Sequence, residues 1–584
     1  HCSILMRAQR DTVKLAETDF DLAIIGGGII GTGVARDAAM RGLRTILFEK
    51  EDFCYGTSGR SSRMIHGGLR YLANYDLGLV REGLREREIL LRIAPHLVKP
   101  LKFLIPLYGS FLHRIKLKIG MILYDLLSYD KSLPSHKYLS KGKVLESEPA
   151  LLETGLHGAY VYYDSQIALT ERLCLENVVS AERHGALLLN HAKVVGLIKQ
   201  DNVVSGARIQ DTLTGKEAEV RAKFVVNVGG PWLDEVVRGI RAKQSPLART
   251  TKGIHLVTPT VTKDALALFA ADGRAYFVMP WLDFELVGTT DTDYEQDMDA
   301  VKADVDDVEY LQSEVKKAFP KASWDQIYYT YAGVRSLLRI EGVKESSVTR
   351  RHVIYDHEKE EGVKGLVSVI GGKLTAYRGI AKDIVDTVAG KLGTNSECMT
   401  AKEKLPGADA SELKKVHANI GSVAAEHGIS AETVAHLVSL YGSRYSEVLG
   451  YIKKDKRLKE RICGTNPDVM AEVTHAIQKE SACTLSDFML RRSLIGFRRC
   501  EGLDCCTKVA NKMTKMLGWN AKELASQIRA YRDEVAKRHA YEQKRLPKPV
   551  PVPPRRRAVA RKLRTRSSAR RLRRARRRVG RRPA

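Results

Sequence analysis

The sequence predicts an α/β fold in which a parallel sheet carries an inserted β-rich region and is followed by a C-terminal helical domain. Three features lead to this prediction. Residues 19–50 read as strand, glycine turn, helix and strand. Residues 185–230 alternate short β-rich runs with turn signals such as Asp201-Asn202, and they end in a buried strand. From about residue 408 onward, apolar residues recur with the period of a helix.

The first element, DFDLAIIGGGIIGTGVARDAAMRGLRTILFEK, has a glycine pattern typical of dinucleotide binding. Gly26, Gly28 and Gly31 form GxGxxG between strand and helix, and Glu49 lies eighteen residues after the last glycine. Gly26 makes the turn, Gly28 lets a pyrophosphate approach the backbone, and Gly31 permits close helix packing. The helix N-terminus attracts phosphate, while Glu49 can accept hydrogen bonds from ribose hydroxyls and disfavours NADP. The alternative interpretation is a purely structural glycine turn.

Two further glycine pairs follow predicted strands and indicate a flavin. In AKFVVNVGGPW, the predicted strand ends just before Gly229-Gly230. In LVSVIGGKLTAYRGIAKDIV (366–385), a predicted strand ends just before Gly371-Gly372, and a helix follows. A large planar isoalloxazine ring requires backbone close to its edge, and a helix N-terminus can stabilise negative charge on the reduced ring. Each pair alone is also compatible with an ordinary tight turn. Together, the three glycine turns predict a Rossmann-like FAD-binding domain with an inserted β-rich substrate domain.

The C-terminal region is predicted to be a separate helical domain. Val434, Leu437, Val438 and Tyr441 fall on one helix face. The predicted divisions are an N-terminal extension (1–18), the FAD-binding domain with its interleaved substrate-binding cap (19–405), the helical domain (406–540) and a disordered Pro/Arg-rich basic tail (541–584).

The positive charge of the chain is concentrated in this tail. The formal net charge is +27, and residues 545–584 hold eighteen Lys or Arg and no Asp or Glu, which leaves +9 for the other 544 residues. Such a segment cannot bury enough apolar surface to offset its ordering entropy. It could bind phosphate backbones, so a nucleic-acid-binding protein is the alternative function from another class. Because the tail lacks stacking aromatics, we expect no nucleic-acid partner.

Cysteine spacing and hydropathy exclude other classes. Nine cysteines without a paired CxxC spacing predict reduced thiols and no metal site. DTDYEQD, from Asp291, resembles the start of a calcium loop but lacks its glycine and its final glutamate. No apolar run approaches the roughly 20 residues of a spanning helix, so any membrane association is expected to be peripheral. Residues 111–127 mix basic and bulky apolar residues, which fits an interfacial helix and a core helix equally.

Motifs in order from about residue 20 to 380 resemble those of the FAD-dependent glycerol-3-phosphate dehydrogenases, above all the mitochondrial type. They are IIGGGIIGTG, DFCYGTSGRSSRMIHGGLRYL, LREREILLRIAPHL, VNVGGPW, GIHLVTP, MPW, VGTTDTDY, YAGVRSLL and GGKLTAYR. Val228-Gly229 and Ser336 depart from the family pattern, which has Ala-Thr and proline there. The resemblance implies oxidation of sn-glycerol 3-phosphate to dihydroxyacetone phosphate, with hydride passing to FAD and electrons leaving to a quinone.

The same motifs imply the residues of the substrate site. A phosphate dianion is best held by several fixed cations, and a secondary alcohol needs a base near its hydroxyl. The expected substrate-binding residues are Arg70, Tyr71, Arg335, Arg350 and Lys373. The expected catalytic residues are His255, Arg335, Lys373 and Asp291. His255 is the expected base, although a lone histidine is also compatible with core packing. Asp291 is expected to orient either His255 or a substrate hydroxyl.

The cofactor residues are also implied by the resemblance. Ser61 and Ser62 are expected to bond FAD, and Gly67 and Gly68 to let backbone lie against the flavin. The full expected set is Gly26, Gly28, Gly31, Glu49, Thr57, Ser58, Ser61, Ser62, Gly67, Gly68, Gly229, Gly372, Leu374 and Thr375.

The resemblance also implies where the enzyme is located and how it assembles. It implies peripheral association with the mitochondrial inner membrane and is compatible with a homo-oligomer. The nearest enzymatic alternative is a glycerol-3-phosphate oxidase that uses oxygen, because acceptor choice depends on access to the flavin rather than on motif residues.

Overall fold

The computed structural model describes residues 12–74, 76–241, 245–340 and 351–544. Its strands belong to two sheets. The described strands are β1 (Phe20–Ile25), β2 (Thr45–Phe48), β3 (Met64–Ile65), β4 (Val98–Pro106), β5 (Lys137–Ser140), β6 (Gly158–Ile167), β7 (Leu187–Leu189), β8 (Ala192–Gln200), β9 (Val203–Asp211), β10 (Glu217–Asn227), β11 (Ala248–Thr258), β12 (Ala265–Phe269), β13 (Ala275–Trp281), β14 (Phe284–Gly288), β15 (Thr292–Asp293), β16 (Tyr329–Leu338), β17 (Val353–Asp356) and β18 (Leu366–Ile370).

Helices connect these strands and make up the C-terminal part of the described chain. They are α1 (Thr12–Glu17), α2 (Ile29–Met40), α3 (Leu77–Ile93), α4 (Phe111–Leu127), α5 (Lys141–Ser147), α6 (Thr170–Arg183), α7 (Leu233–Val236), α8 (Val305–Ala318), α9 (His357–Glu361), α10 (Tyr377–Leu392), α11 (Ala410–Ala418), α12 (Ile420–His427), α13 (Ala431–Tyr441), α14 (Tyr445–Lys454), α15 (Met470–Lys479), α16 (Leu485–Arg491), α17 (Cys506–Leu517) and α18 (Ala521–Lys537). Among the described helices, none combines the length and the apolar character that crossing a bilayer requires.

The first sheet is the predicted parallel layer. Its order is β17-β18-β10-β1-β2-β7, and all neighbours run parallel except the edge strand β17. Strands β2 and β18 are buried along their whole length, as expected when both faces of a parallel sheet are covered. Helices α2, α6 and α10 pack together on one face. The antiparallel meander β8-β9-β10 joins this layer, as the sequence predicted.

The second sheet is the β-rich insertion. Its order is β15-β11-β14-β13-β12-β4-β6-β3, with β16 added beside β11 and β5 beside β6. Helix α8 packs on one face through Val308, Leu311 and Val315, in a core with Trp324. The parallel layer, the β-rich insertion and the C-terminal helices confirm the predicted fold class.

The C-terminal helices share their core with the second sheet. The ring of Phe497, which follows α16, lies with its centroid 5.7 Å from that of Trp281 in β13, and the Phe497 carbonyl accepts a 2.7 Å hydrogen bond from the Tyr329 hydroxyl in β16. The chain to Tyr541 forms one compact unit. The limits 19–405 and 406–540 remain predictions. Of the predicted tail (541–584), residues 541–544 belong to a short 3-10 helix, Ala540–Lys544, in which Tyr541 is buried. Residues 545–584 lie outside the described residues.

Candidate active site

A cavity of about 1250 Å³ lies where three strands of the parallel sheet end. Gly26 follows β1, Gly229 comes two residues after β10, and Gly371 follows β18. All three glycines line the cavity. Because neighbouring parallel strands have their carboxyl ends at the same edge of a sheet, turns that are far apart in the sequence meet there. The three predicted glycine turns therefore form one site.

The fingerprint glycines are required by close backbone contacts. Gly26 has a φ of +113°, and a Cβ on it would lie 2.6 Å from the carbonyl oxygen of Val228. A Cβ on Gly31 would lie 1.9 Å from the carbonyl oxygen of Gly26, so this glycine serves the packing of α2 against β1. Gly28, the N-cap residue of α2, lines the cavity. The helix N-terminus is therefore available to phosphate.

Glu49 lies at the cavity wall after β2. One carboxylate oxygen accepts the Gly27 N–H at 2.6 Å and the other accepts the Glu51 N–H at 2.9 Å. Burial raises the pKa of this carboxyl group, and the two backbone N–H groups oppose that effect. Each carboxylate oxygen has a further lone pair, so Glu49 can still accept a ribose hydroxyl.

The segment from Thr57 to Ser62 joins the two sheets around the cavity. The Thr57 hydroxyl donates to the Val334 carbonyl at 2.5 Å, and Ser58 Oγ accepts the Ile29 N–H at 3.0 Å. Ser61 Oγ accepts the Arg63 N–H at 3.2 Å. All four predicted hydroxyl residues, Thr57, Ser58, Ser61 and Ser62, line the cavity. Thr57 and Ser58 thus also fix the positions of β16 and the start of α2.

Gly67, Gly68 and Thr375 contact protein groups beside the cavity, and their expected role toward the cofactor remains a prediction. The Gly67 N–H donates to the Tyr124 hydroxyl at 3.1 Å, and a Cβ on Gly68 would lie 2.4 Å from the Tyr71 ring. Thr375 Oγ1 accepts the His66 N–H at 2.9 Å. Leu374 and Gly372 line the cavity itself.

His255 is positioned by its neighbours in the second sheet. Its Nε2 lies 2.8 Å from Ser62 Oγ, and its ring stacks on Tyr331 with centroids 4.8 Å apart. Gly288 lies opposite His255 on β14. A Cβ there would lie 2.5 Å from His255 Cδ2, so the glycine makes room for the imidazole. His255 is almost fully buried and contributes to the cavity wall.

The environment of His255 keeps its imidazole neutral. Burial lowers its pKa to about 3, helped by the nearby cations Arg335 and Arg63. Its Nδ1 is buried and has no hydrogen-bond partner among the described residues. The side chain therefore has one nitrogen engaged with Ser62 and a second nitrogen that can take a proton or a hydrogen bond.

Arg335 and Asp291 form an ion pair in the cavity wall. Arg335 Nη1 donates to Asp291 Oδ1 at 3.0 Å, and Nη2 donates to Thr289 Oγ1 at 2.9 Å. Both residues line the cavity and keep partly exposed side chains. Asp291 was expected to orient His255 or a substrate hydroxyl. Its observed partner is Arg335, which it holds beside the cavity.

Tyr71 and Lys373 meet on the wall near the third glycine turn. Lys373 Nζ lies 3.7 Å from the centroid of the Tyr71 ring, a cation–π contact. Both residues line the cavity, and their role as substrate ligands remains a prediction. Two expected cations cannot be placed: Arg350 and the side chain of Arg70 lie outside the described residues.

Sequence reasoning missed several groups at the wall. Arg60 and Arg274 both line the cavity. Arg60 was within the quoted motif DFCYGTSGRSSRMIHGGLRYL, whereas Arg274 follows an Asp-Gly turn with no motif around it. A Cβ on Gly253 would lie 2.2 Å from Arg335 Nη2, so this glycine makes room for the arginine. Its role depends on strand pairing and has no local signal.

The residues present fit FAD and a small phosphorylated substrate. A glycine-lined edge, a helix N-terminus and Glu49 suit a dinucleotide. The cavity volume exceeds the roughly 300–1,000 Å³ of an ordinary ligand pocket, so there is room for a second, smaller molecule. Arg335, Lys373 and Arg274 provide cations at the wall for that molecule.

Comparison with known proteins supports this interpretation. Residues 21–378 match the family described as FAD dependent oxidoreductase, and residues 398–524 match the C-terminal domain of alpha-glycerophosphate oxidase. The chain is 40% identical over 545 residues to a glycerol-3-phosphate dehydrogenase of Synechocystis sp., which covers 90% of this chain and 98% of the relative. It is 34% identical over 551 residues to an aerobic glycerol-3-phosphate dehydrogenase of Staphylococcus aureus, covering 90% and 96%.

A solved structure is similar over the same length. The glycerol-3-phosphate dehydrogenase of Bacillus halodurans, solved in complex with FAD, superposes with a TM-score of 0.76 at 28% identity. The match covers 91% of this chain and 97% of that chain.

Proposed function

Because the chain belongs to the family of FAD-dependent glycerol-3-phosphate dehydrogenases, we propose that the cavity at the ends of the parallel strands holds FAD and sn-glycerol 3-phosphate side by side. The protein is a flavoprotein oxidoreductase that oxidises glycerol 3-phosphate. One observation carries the proposed arrangement. The glycine turns of the first sheet line the same cavity as His255 and Arg335 of the second sheet.

The dinucleotide is assigned to the glycine edge. Gly26 and Gly28 leave room for the pyrophosphate, and Glu49 accepts ribose hydroxyls. Gly229 and Gly372 leave room for the planar ring. When bound, FAD supplies the acceptor for the hydride that leaves C2 of the substrate.

The substrate phosphate is assigned to the cations of the wall. Arg335 offers a planar fork whose orientation is fixed by Asp291 and Thr289, so little side-chain entropy is lost when it binds an anion. Lys373 is held against Tyr71 and adds a point charge. Arg70 and Arg350 remain predicted contributors of the same site.

The substrate hydroxyl is assigned to His255. The neutral imidazole can accept the hydroxyl proton of C2 while the hydride departs and the carbonyl forms. Arg335 contributes to the low pKa of His255. A phosphate dianion bound at Arg335 would oppose that effect, so substrate binding itself makes His255 a stronger base.

Anaerobic reduction of the bound flavin tests the assignment. Addition of glycerol 3-phosphate to the purified yellow protein should bleach the flavin absorbance. His255→Asn should keep the flavin content and slow the bleaching by about 10²- to 10⁴-fold. His427→Asn, on α12 outside the cavity, is the matched control. Normal bleaching by the His255 variant would remove that residue from the mechanism.

The electron acceptor is proposed to be a quinone, with oxygen as the alternative. The proposal is supported by the order and content of the motifs, from IIGGGIIGTG to GGKLTAYR. Turnover should be supported by a soluble quinone analogue, and little hydrogen peroxide should form in air. Stoichiometric peroxide without faster turnover in quinone would identify an oxidase instead.

Peripheral membrane binding is proposed for helix α4. Met121 and Tyr124 are its only two buried side chains of seventeen, and Leu112, Ile115, Ile119, Ile122 and Leu126 recur at helical spacing on one exposed face. Lys116 and Lys118 lie between them in the sequence, which suits anionic headgroups.

Vesicle flotation tests this helix. Ile119→Asp with Leu126→Asp should abolish flotation with anionic vesicles and leave flavin reduction intact. Replacing Lys116 and Lys118 by neutral residues should weaken flotation with anionic vesicles. Leu213→Asp, at an exposed turn between β9 and β10, is the control.

Deletion of residues 545–584 tests whether the tail contributes instead. The deletion should leave flavin reduction intact, and loss of flotation in that variant alone would assign membrane binding to the tail.

The proposed location is the mitochondrial inner membrane, as a peripheral protein of the mitochondrial type. It is supported by the same motif resemblance. Fractionation of the source cells should find the enzyme with inner-membrane markers, and alkaline carbonate should release it. Recovery in the soluble fraction would contradict the proposal.

We also propose that the protein associates with further copies of itself. Light scattering of the purified protein measures the number of chains in the assembly.

A further inference from the structure

Three cysteines and one aspartate converge in the C-terminal helical region, far along the chain from the residues of the cavity. Cys463 precedes α15 in the loop 461–469, and Cys500, Asp504 and Cys505 lie in the segment before α17. The ligand atoms of Cys463, Cys500 and Asp504 all lie within 4.8 Å of one another. Two separate segments of chain therefore bring soft and hard metal ligands to one place.

The distance between one pair of ligand atoms matches a tetrahedral ion. Cys463 Sγ and Asp504 Oδ2 are 3.6 Å apart. With Zn–S near 2.3 Å and Zn–O near 2.0 Å, the edge between such ligands in a tetrahedron is about 3.5 Å. All three ligand atoms lie within 4.8 Å of one another, so small side-chain movements would bring them to one ion.

The loop that carries Cys463 is tied to the start of α17, which directly follows the second segment. Lys508 Nζ in α17 donates to the Arg461 carbonyl at 2.5 Å and pairs with Glu460 at 2.7 Å. Within the second segment, the Cys505 N–H donates to the Gly502 carbonyl at 3.2 Å. A site held in this way loses little conformational entropy when it binds a metal.

The cluster combines two thiols with one carboxylate. A divalent ion bound there would stabilise the thiolate forms of Cys463 and Cys500 and neutralise the carboxylate of Asp504.

The ligand chemistry selects the metal. Two thiols and a carboxylate suit zinc, whereas calcium and magnesium take oxygen ligands. Cys463 is buried, while Cys500 is half-buried and Asp504 is exposed, so an ion can enter from the Asp504 side. Cys505, the next residue after Asp504, is a further thiol that could take a fourth position.

We propose that Cys463, Cys500 and Asp504 bind a zinc ion that cross-links the loop before α15 to the segment before α17. Binding breaks two S–H bonds, forms two Zn–S bonds and releases two protons to solvent. The spacing of the cysteines alone did not predict this site, because its ligands come from segments about 40 residues apart in the sequence.

Zinc titration of the holoenzyme tests the proposal. The reduced, chelator-washed protein should bind one equivalent of zinc in competition with a chromophoric chelator, and should release about two protons per zinc in weak buffer. Cys463→Ser, Cys500→Ser and Asp504→Asn should each weaken zinc binding at least about tenfold. Cys398→Ser, another half-buried cysteine that belongs to a different part of the fold, should bind as the parent does.

The flavin absorbance distinguishes loss of the site from loss of the fold. Asp504→Asn removes an exposed charge and should retain full flavin content, so weaker zinc binding in that variant reports on the site itself. A parent protein that binds no zinc, or cysteine variants that bind it as tightly as the parent, would overturn the proposal. So would a Cys463–Cys500 disulfide that persists in reducing buffer and excludes the metal.

Discussion

At the residue scale, the site depends on small residues that make room for large functional ones. Gly288 is the clearest case, because its Cβ position is filled by His255 Cδ2 at 2.5 Å and by the Ile254 carbonyl oxygen at 2.9 Å. Gly288→Ala should displace the imidazole and lower kcat at least about tenfold, with little change in flavin content. Stopped-flow reduction of the flavin gives this rate.

Gly390→Ala is the matched control for this variant. Gly390 lies in α10 with no atom near its Cβ position, so alanine should be neutral or raise stability by about 0.5–1 kcal/mol. If Gly288→Ala reduces the flavin at the parent rate, the packing argument for His255 is incorrect.

Asp291 gives a second prediction at this scale. Because its observed partner is Arg335, we expect it to act on phosphate affinity rather than on proton transfer. Asp291→Ala should raise KM for glycerol 3-phosphate about tenfold, which corresponds to about 1.4 kcal/mol, with kcat nearly unchanged. Asp291→Asn should restore most of the affinity, since its amide oxygen still accepts from the guanidinium.

Steady-state kinetics separate the possible roles of Asp291. A fall in kcat in both variants, with KM unchanged, would instead assign Asp291 to His255 or to the substrate hydroxyl. The sequence could not decide between these roles of Asp291. The answer depends on which side chain the loop after β14 brings next to Arg335 in β16.

At the element scale, a buried ion cluster joins α13 to α15 in the helical region. His436 Nε2 lies 3.0 Å from Glu472 Oε2 and 3.4 Å from Asp468 Oδ1, and all three side chains are buried. Burial opposes the charged imidazole, but the carboxylates of Asp468 and Glu472 raise the pKa of His436 to about 10. Tyr441 and Arg498 also face this pair of carboxylates.

Stability should follow the titration of His436. The folded-state pKa lies above the unfolded value of about 6.5, so the stabilisation is complete below pH 6.5 and is lost as pH rises toward 10. The difference in unfolding free energy between the parent and His436→Gln should therefore shrink from pH 6.5 to 10. Urea unfolding at several pH values measures it, and a constant difference would show that His436 is not charged in the folded protein.

At the scale of the whole molecule, buried charges tie the N-terminal sheet to the C-terminal helices. Asp52, four residues after β2, accepts a 2.8 Å hydrogen bond from Arg491 Nε and pairs with Arg492. Arg172 in α6 pairs with Glu480 at 2.7 Å, just beyond α15. Removing one partner of such a pair leaves an uncompensated buried charge, which is strongly destabilising.

Asp52→Asn tests this coupling. The variant should lose about 3–5 kcal/mol of stability, and far-UV circular dichroism and flavin release should still report one transition. Asp21→Asn, which removes two ion pairs of β1 with the exposed side chains of Arg44 and Lys223, should cost about 1 kcal/mol or less. Two separated transitions in the parent would show that the sheets and the C-terminal helices unfold independently.

The sequence by itself determined the local elements of this protein. The fingerprint from Gly26 to Glu49, the strands that enter Gly229 and Gly371, and the helical period near Val434 were predictable because each depends on residues close together in the chain. The tertiary structure alone decided how those elements meet. Strand register and helix packing decided the partner of Asp291, the contact of Gly67 with Tyr124, and the approach of Cys463 to Cys500. Such contacts join distant residues, and no local spacing encodes them.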